Sequence, residues 1–133
     1  ATAFQKGLGG IHALSHPVGA LYDTHHGMTN AVFMPYVMVV NRVAIEEKIA
    51  RLSAEGGFEP NFDAFMKAIL MLRQSMGVPH TLQEMKIGGE NRMLIGNMAI
   101  VDPTASGNPV EMTLERALEI FDRAMKGDTT AAR

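Results

Sequence analysis

The chain has 133 residues, 47% of them hydrophobic, with 12 Lys+Arg against 14 Asp+Glu, a formal charge of -2 and no cysteine. That length and apolar content suit one domain with a real core, and the charge balance gives no long-range pull on phosphate backbones or anionic membranes. The lack of thiols removes disulfides, thiolate zinc sites, iron–sulfur clusters and cysteine nucleophiles together, so any metal must bind through nitrogen or oxygen.

Apolar residues recur at three- and four-residue spacing, and period-two alternation with β-branched residues is scarce, so the expected class is all-α. The chain begins on Ala1 with helix-compatible sequence following at once, as a segment of a longer chain would. Thr2 to Tyr22 reads as helical, with an irregularity expected at Pro17, where a backbone donor is missing. A second helix is expected from Gly27 to Asn41; Ala31, Val32, Met34, Pro35, Val37, Met38 and Val39 make it apolar nearly all round, which places it in the core. Ala44 to Ser53 follows, closed by Gly56–Gly57. Next comes Asn61 to Met76, with Asn61 as cap, Gly77 as terminator, and Phe62, Phe65, Met66, Ile69, Leu70 and Leu72 as its buried side. Thr81 with Glu84 has capping-box spacing for a short helix. Another helix spans Glu90 to Val101, and Asp102 to Pro109 (DPTASGNP) is turn chemistry. Thr113 then caps a final helix ending at Gly127, beyond which Asp128 to Arg133 frays. The methionines, 11 in all and including Met34, Met38, Met66, Met71 and Met76, are spaced as packing side chains. Glu46–Glu47–Lys48 and Glu115–Arg116 read as solvated faces, and His80 as exposed. No apolar run reaches the ~18 residues of a membrane span and the start lacks the basic-then-apolar pattern of a secretory signal; a soluble, cytoplasmic protein is expected, with neither nucleic acid nor membrane as partner.

Four of the five histidines, His12, His16, His25 and His26, fall within fifteen residues among several glycines. On a helix His12 and His16 share a face, their Cβ atoms about 5–6 Å apart, near enough to meet one metal or one ligand. The plainer alternative is a pair that hydrogen-bonds at the rim of the core. His25 and His26 stand at the start of the next helix, where backbone amides favour an anion or polarised oxygen. Adjacent histidines rarely face one ion together, and His26, followed by Gly27, is the better placed of the two. Phe4 and Tyr22 lie close enough in sequence to line a channel there, or to fill core.

The run GLGGIHALSHPVGALYDTHHGMTNAVFMPYVMVVN, Gly7 to Asn41, closely resembles the signature of the iron-containing (group III) alcohol dehydrogenases. The likeness continues more loosely through Gly77–Val78–Pro79 and DPTASGNPVEMT, so it covers essentially the whole chain. The resemblance implies a helical bundle corresponding to the C-terminal domain of a two-domain dehydrogenase, with residues 1–133 as the metal-binding half. It implies that His12 and His26 are metal ligands and that His16 lies beside the nicotinamide and substrate, where it helps proton movement. Spacing alone would have paired His12 with His16 as chelators. His25 stands where family members often have proline and receives no role.

The implied chemistry is interconversion of a primary alcohol and an aldehyde with NAD or NADP, aided by a divalent metal, Fe2+ before Zn2+. Two family features are missing. There is no Asp-x-x-x-His, the source of the other two ligands, and no GGGS-like phosphate loop after a strand, which in the family belongs to the N-terminal α/β domain. That domain is therefore the expected partner, alongside a small alcohol or aldehyde, and residues 1–133 alone are expected to be nearly inactive; a homo-oligomer is compatible with the resemblance. Two other classes compete: a stand-alone helical binding or interaction module, and a zinc hydrolase, for which the sequence shows neither a His-Glu-x-x-His nor a carboxylate placed as a general base beside the histidines. The dehydrogenase reading also expects exposed apolar surface around the first two helices, where the α/β domain would dock.

Overall fold

A computed structural model describes residues 9–24, 26–57, 59, 61–108 and 110–129, without the side chains of His26 and Val43. The described residues form helices and turns with no strand: α1 (Gly9–Tyr22), α2 (His26–Val40), α3 (Arg42–Glu55), α4 (Phe62–Ser75), the 3-10 turn η1 (Gln83–Met85), α5 (Arg92–Ile100), the 3-10 turn η2 (Pro103–Gly107) and α6 (Leu114–Lys126). The all-α expectation is met. Residues 2–8, the first part of the expected opening helix, and the end of the tail lie outside the described residues.

The helix ends follow local chemistry. Asn61 accepts from the Ala64 amide at 2.7 Å and Thr113 from the Arg116 amide at 3.2 Å, so both expected N-caps form. Gly77 and Gly127 close their helices with φ of 75° and 78°, a conformation that costs glycine nothing. At Thr81 the capping box closes both ways: the Thr81 amide donates to Glu84 Oε2 at 2.9 Å and the Glu84 amide to Thr81 Oγ1 at 3.2 Å. Hydrogen bonds from the Thr81 and His80 amides hold the Glu84 carboxyl below its ordinary value. α1 does not break at Pro17 but runs through it as one helix.

α2 is the spine. Its residues Val32, Phe33, Tyr36 and Val37 enter the main core with Ile11, Leu14 and Val18 of α1, Ile95 and Ala99 of α5, and Ile120, Phe121 and Ala124 of α6. Met38 and Val39 enter a second, smaller core with Ile45, Ile49, Phe62 and Met66 of α3 and α4. A helix apolar all round is thus buried between two layers.

On α4 the expected buried side is only partly correct. Phe62 and Met66 are buried, Phe65, Ile69 and Leu70 are half-buried, and Leu72 is 57% exposed. The inward stripe is completed by Arg73, and its neighbour Leu72 is rotated by about 100° away from it. Met71 and Met76 are likewise 61% and 69% exposed, so these two methionines are not packing residues within this chain, whereas Met38 and Met66 are. Among the described residues the large exposed apolar side chains are Met71 and Leu72 of α4, Met76 just after it, Met93, Leu94, Val101, Leu52 of α3 and Leu21 of α1, with none on α2, so the exposed apolar surface expected around the first two helices lies elsewhere.

Arg73 is buried. Its Nη1 donates to the Ala31 and Val32 carbonyls, both at 3.0 Å, and its Nη2 meets His80 Nδ1 at 2.7 Å and the His80 carbonyl at 3.2 Å. Tyr36 also donates to that His80 carbonyl. Burial pushes the Tyr36 phenol up, against the opposing pull of Arg73. His80 is exposed as expected, yet its ring and carbonyl are both engaged.

Candidate active site

The histidine helix is positioned from both ends. At its start the Gly10 amide donates to Asn108 Oδ1 at 3.1 Å, and a Cβ there would stand 2.8 Å from that oxygen and 2.9 Å from Met112 Cε. Only glycine allows so close an approach. Asn108 also exchanges hydrogen bonds with Asn41 at 2.6 and 2.9 Å and donates to the Val110 carbonyl at 2.6 Å, so its amide is fully used. At the other end Tyr22 donates to Glu90 at 3.2 Å and accepts from Asn91 at 3.2 Å while packing on the main core, so it tethers α1 to the segment before α5. Asp23, with φ of 54°, turns the chain toward α2.

Between these anchors His12 and His16 lie on one face, their ring centroids 6.0 Å apart and tilted by 32°. His12 is half-buried and His16 exposed. His16 Nδ1 reaches Asp102 Oδ2 at 2.8 Å, across 86 residues of sequence. Asp102 caps η2: its Oδ1 accepts from the Thr104 amide at 2.8 Å and the Thr104 hydroxyl at 2.5 Å, and Pro103 occupies the first turn. Burial pushes the Asp102 carboxyl up, but the two Thr104 donors and His16 together outweigh it and hold the group below its ordinary value.

Nothing in the sequence singles out Asp102 as a partner of His16. Asp before Pro is a visible cap signal, but no periodicity joins residue 102 to residue 16. The structure places the backbone of His26 at the first residue of α2; its side chain, the whole of His25 and Phe4 lie outside the described residues. No group of three or more His, Cys, Asp or Glu side chains suited to a metal is present among the described residues. The donor chemistry nevertheless fits a divalent metal of borderline softness: imidazole nitrogen is what such ions accept, and no thiolate competes for them.

Residues 2–125 match the family model described as Fe-containing alcohol dehydrogenase family, C-terminal. The chain belongs to that family. It is 35% identical over 125 residues to lactaldehyde reductase of Escherichia coli K12, covering 89% of this chain and 33% of the relative. To 1,3-propanediol dehydrogenase of Citrobacter freundii it is 32% identical over 124 residues, covering 88% and 32%. Among solved structures, that of a 1,3-propanediol oxidoreductase superposes with a TM-score of 0.81 at 28% identity, over 87% of this chain and 32% of the other. An iron-containing alcohol dehydrogenase from Thermococcus thioreducens superposes with a TM-score of 0.79 at 27% identity, over 90% and 32%. The chain thus spans about a third of the length of these relatives.

Proposed function

We propose that this chain is the C-terminal, metal-binding half of an NAD(P)-linked alcohol dehydrogenase that interconverts a primary alcohol and an aldehyde. The observation that carries the reading is the family match over residues 2–125, which contains all of the histidine helix. His12 and His26 are the metal ligands this half contributes, held as neutral imidazoles. The remaining ligands and the dinucleotide site are assigned to an N-terminal α/β domain, in keeping with the share of each relative that this chain covers. When bound, the metal, Fe2+ or Zn2+, supplies Lewis acidity toward the alcohol oxygen, and the nicotinamide supplies the hydride acceptor. His16 lies on the nicotinamide side and moves the alcohol proton. Its solvent-facing position on the same face as His12 supports this role, because a relay must reach both substrate and water.

The test compares residues 1–133 with a longer chain carrying the upstream sequence. The longer form is expected to hold one divalent metal per chain and to reduce NAD or NADP with a primary alcohol, and the short form to do neither. In the longer form His12→Ala and His26→Ala should each lose the metal, whereas His16→Gln should keep it and turn over slowly. Tight metal binding or normal turnover by residues 1–133 alone would overturn the reading.

A further inference from the structure

We infer that Asp102 is the positioning residue of His16, fixing the ring as its Nδ1–H tautomer and so making Nε2 the nitrogen that exchanges protons with substrate. The inference rests on the reading of His16 as the proton-moving residue, and its structural half stands apart from that reading.

The two oxygens of Asp102 have separate duties. Oδ1 is committed to Thr104, whose amide and hydroxyl both donate to it. Oδ2 is left to face His16 Nδ1 at 2.8 Å. An ionised carboxylate only accepts hydrogen bonds, so the hydrogen between them belongs to Nδ1, and a neutral ring then carries its lone pair on Nε2. The carboxylate is 11% exposed and the imidazole 44%. The sheltered partner is thus the fixed one, and the more exposed ring is oriented by it. η2 packs against α1, so the cap that orients Asp102 also sets its height along the histidine helix. A proton accepted at Nε2 yields an imidazolium opposite a carboxylate, from which it passes to water, and the ring returns to the same tautomer. A ring free to choose would spend part of its time with hydrogen on the nitrogen that must accept.

Asp102→Asn is the informative variant because it is nearly isosteric. Its amide oxygen can keep both Thr104 bonds and preserve the η2 cap, while its NH2, in place of Oδ2, donates to Nδ1 and forces hydrogen onto Nε2. Nitrogen-15 NMR of the neutral ring in this chain, with the His16 signals identified by their loss in His16→Gln, reads the tautomer directly. The expected result is Nδ1–H in the native chain and Nε2–H in D102N, with D102E returning to Nδ1–H. An Nε2–H ring in the native chain, or no change of tautomer in a folded D102N, overturns the inference. If D102N does not fold, the native spectrum alone decides on the same criterion. In the longer enzyme D102N should lower kcat by about 10–100-fold, as loss of an orienting partner commonly does, with little change in KM. The NMR measurement needs neither metal nor dinucleotide, so its failure leaves the dehydrogenase reading intact. Conversely, a longer chain that never reduces NAD or NADP defeats that reading whatever the tautomer.

Discussion

Arg73 supplies the hydrogen bond that Pro35 withholds from Ala31. Inside α2, proline at position 35 has no amide hydrogen, so the carbonyl four residues earlier loses its helical donor. Arg73 Nη1, arriving from α4, donates to that carbonyl at 3.0 Å and to the neighbouring Val32 carbonyl at 3.0 Å. A charge at the end of an otherwise apolar stripe is thereby satisfied, and so is the carbonyl that lacks its helical donor in α2.

Removing the guanidinium leaves those carbonyls buried without it, so Arg73→Met should cost about 3 kcal/mol despite its apolar replacement. In a Pro35→Ala background the backbone amide restored at that position can serve the Ala31 carbonyl, and the same substitution should then cost less by about 1 kcal/mol. Urea unfolding of the four chains measures this coupling. Strictly additive costs would mean that the proline and the arginine are unrelated.

Gly10→Ala should destabilise by about 2–3 kcal/mol, because the added methyl meets a fixed amide oxygen and the Met112 side chain. Asn108→Asp should be as damaging or worse, since it turns the donor toward Asn41 and Val110 into a second acceptor facing acceptors. Thermal unfolding should rank both well below Thr113→Ala, which loses one cap worth about 1 kcal/mol. Equal losses at all three positions would contradict the tight packing described at Gly10.

Asp102 links stability to pH. Its carboxyl is held below the unfolded value of about 3.9, so the ionised form favours the folded chain. That contribution is fully present above the unfolded pKa and is lost as pH falls through the lower folded value. The native chain should therefore lose, between about pH 4 and that lower value, an increment of stability that D102N never had. Unfolding free energies for the two chains across this acid range give the answer; parallel curves would show that Thr104 and His16 do not stabilise the charge.

Much of the fold was legible. Asn61, Thr113, Gly77 and Gly127 announce helix ends because capping acts within three or four residues, and the apolar α2 announces its own burial because it has no polar face to turn outward. Two things were hidden. Arg73 draws no notice in the sequence until the helix whose carbonyls it serves is placed beside it, and its burial turns Leu72 outward. Asp102 reads as a turn residue until η2 is laid against α1. Both depend on partners 41 or more residues away, which no local spacing encodes. His12 and His16 sharing a face was legible, since helical periodicity alone dictates it.

The anchors of the histidine helix also fix an order of events. His16 meets Asp102 across 86 residues and Gly10 meets Asn108 across 98. At the roughly 5–20 residues per second of protein synthesis, the histidine helix emerges many seconds before the segment that orients it. Meanwhile α2 can pair with α1 and α4 with α3, as these contacts are closer in sequence. The orientation of His16 by Asp102 is therefore set only when the last quarter of the chain arrives, and a product stalled before Asp102 carries all five histidines without that carboxylate.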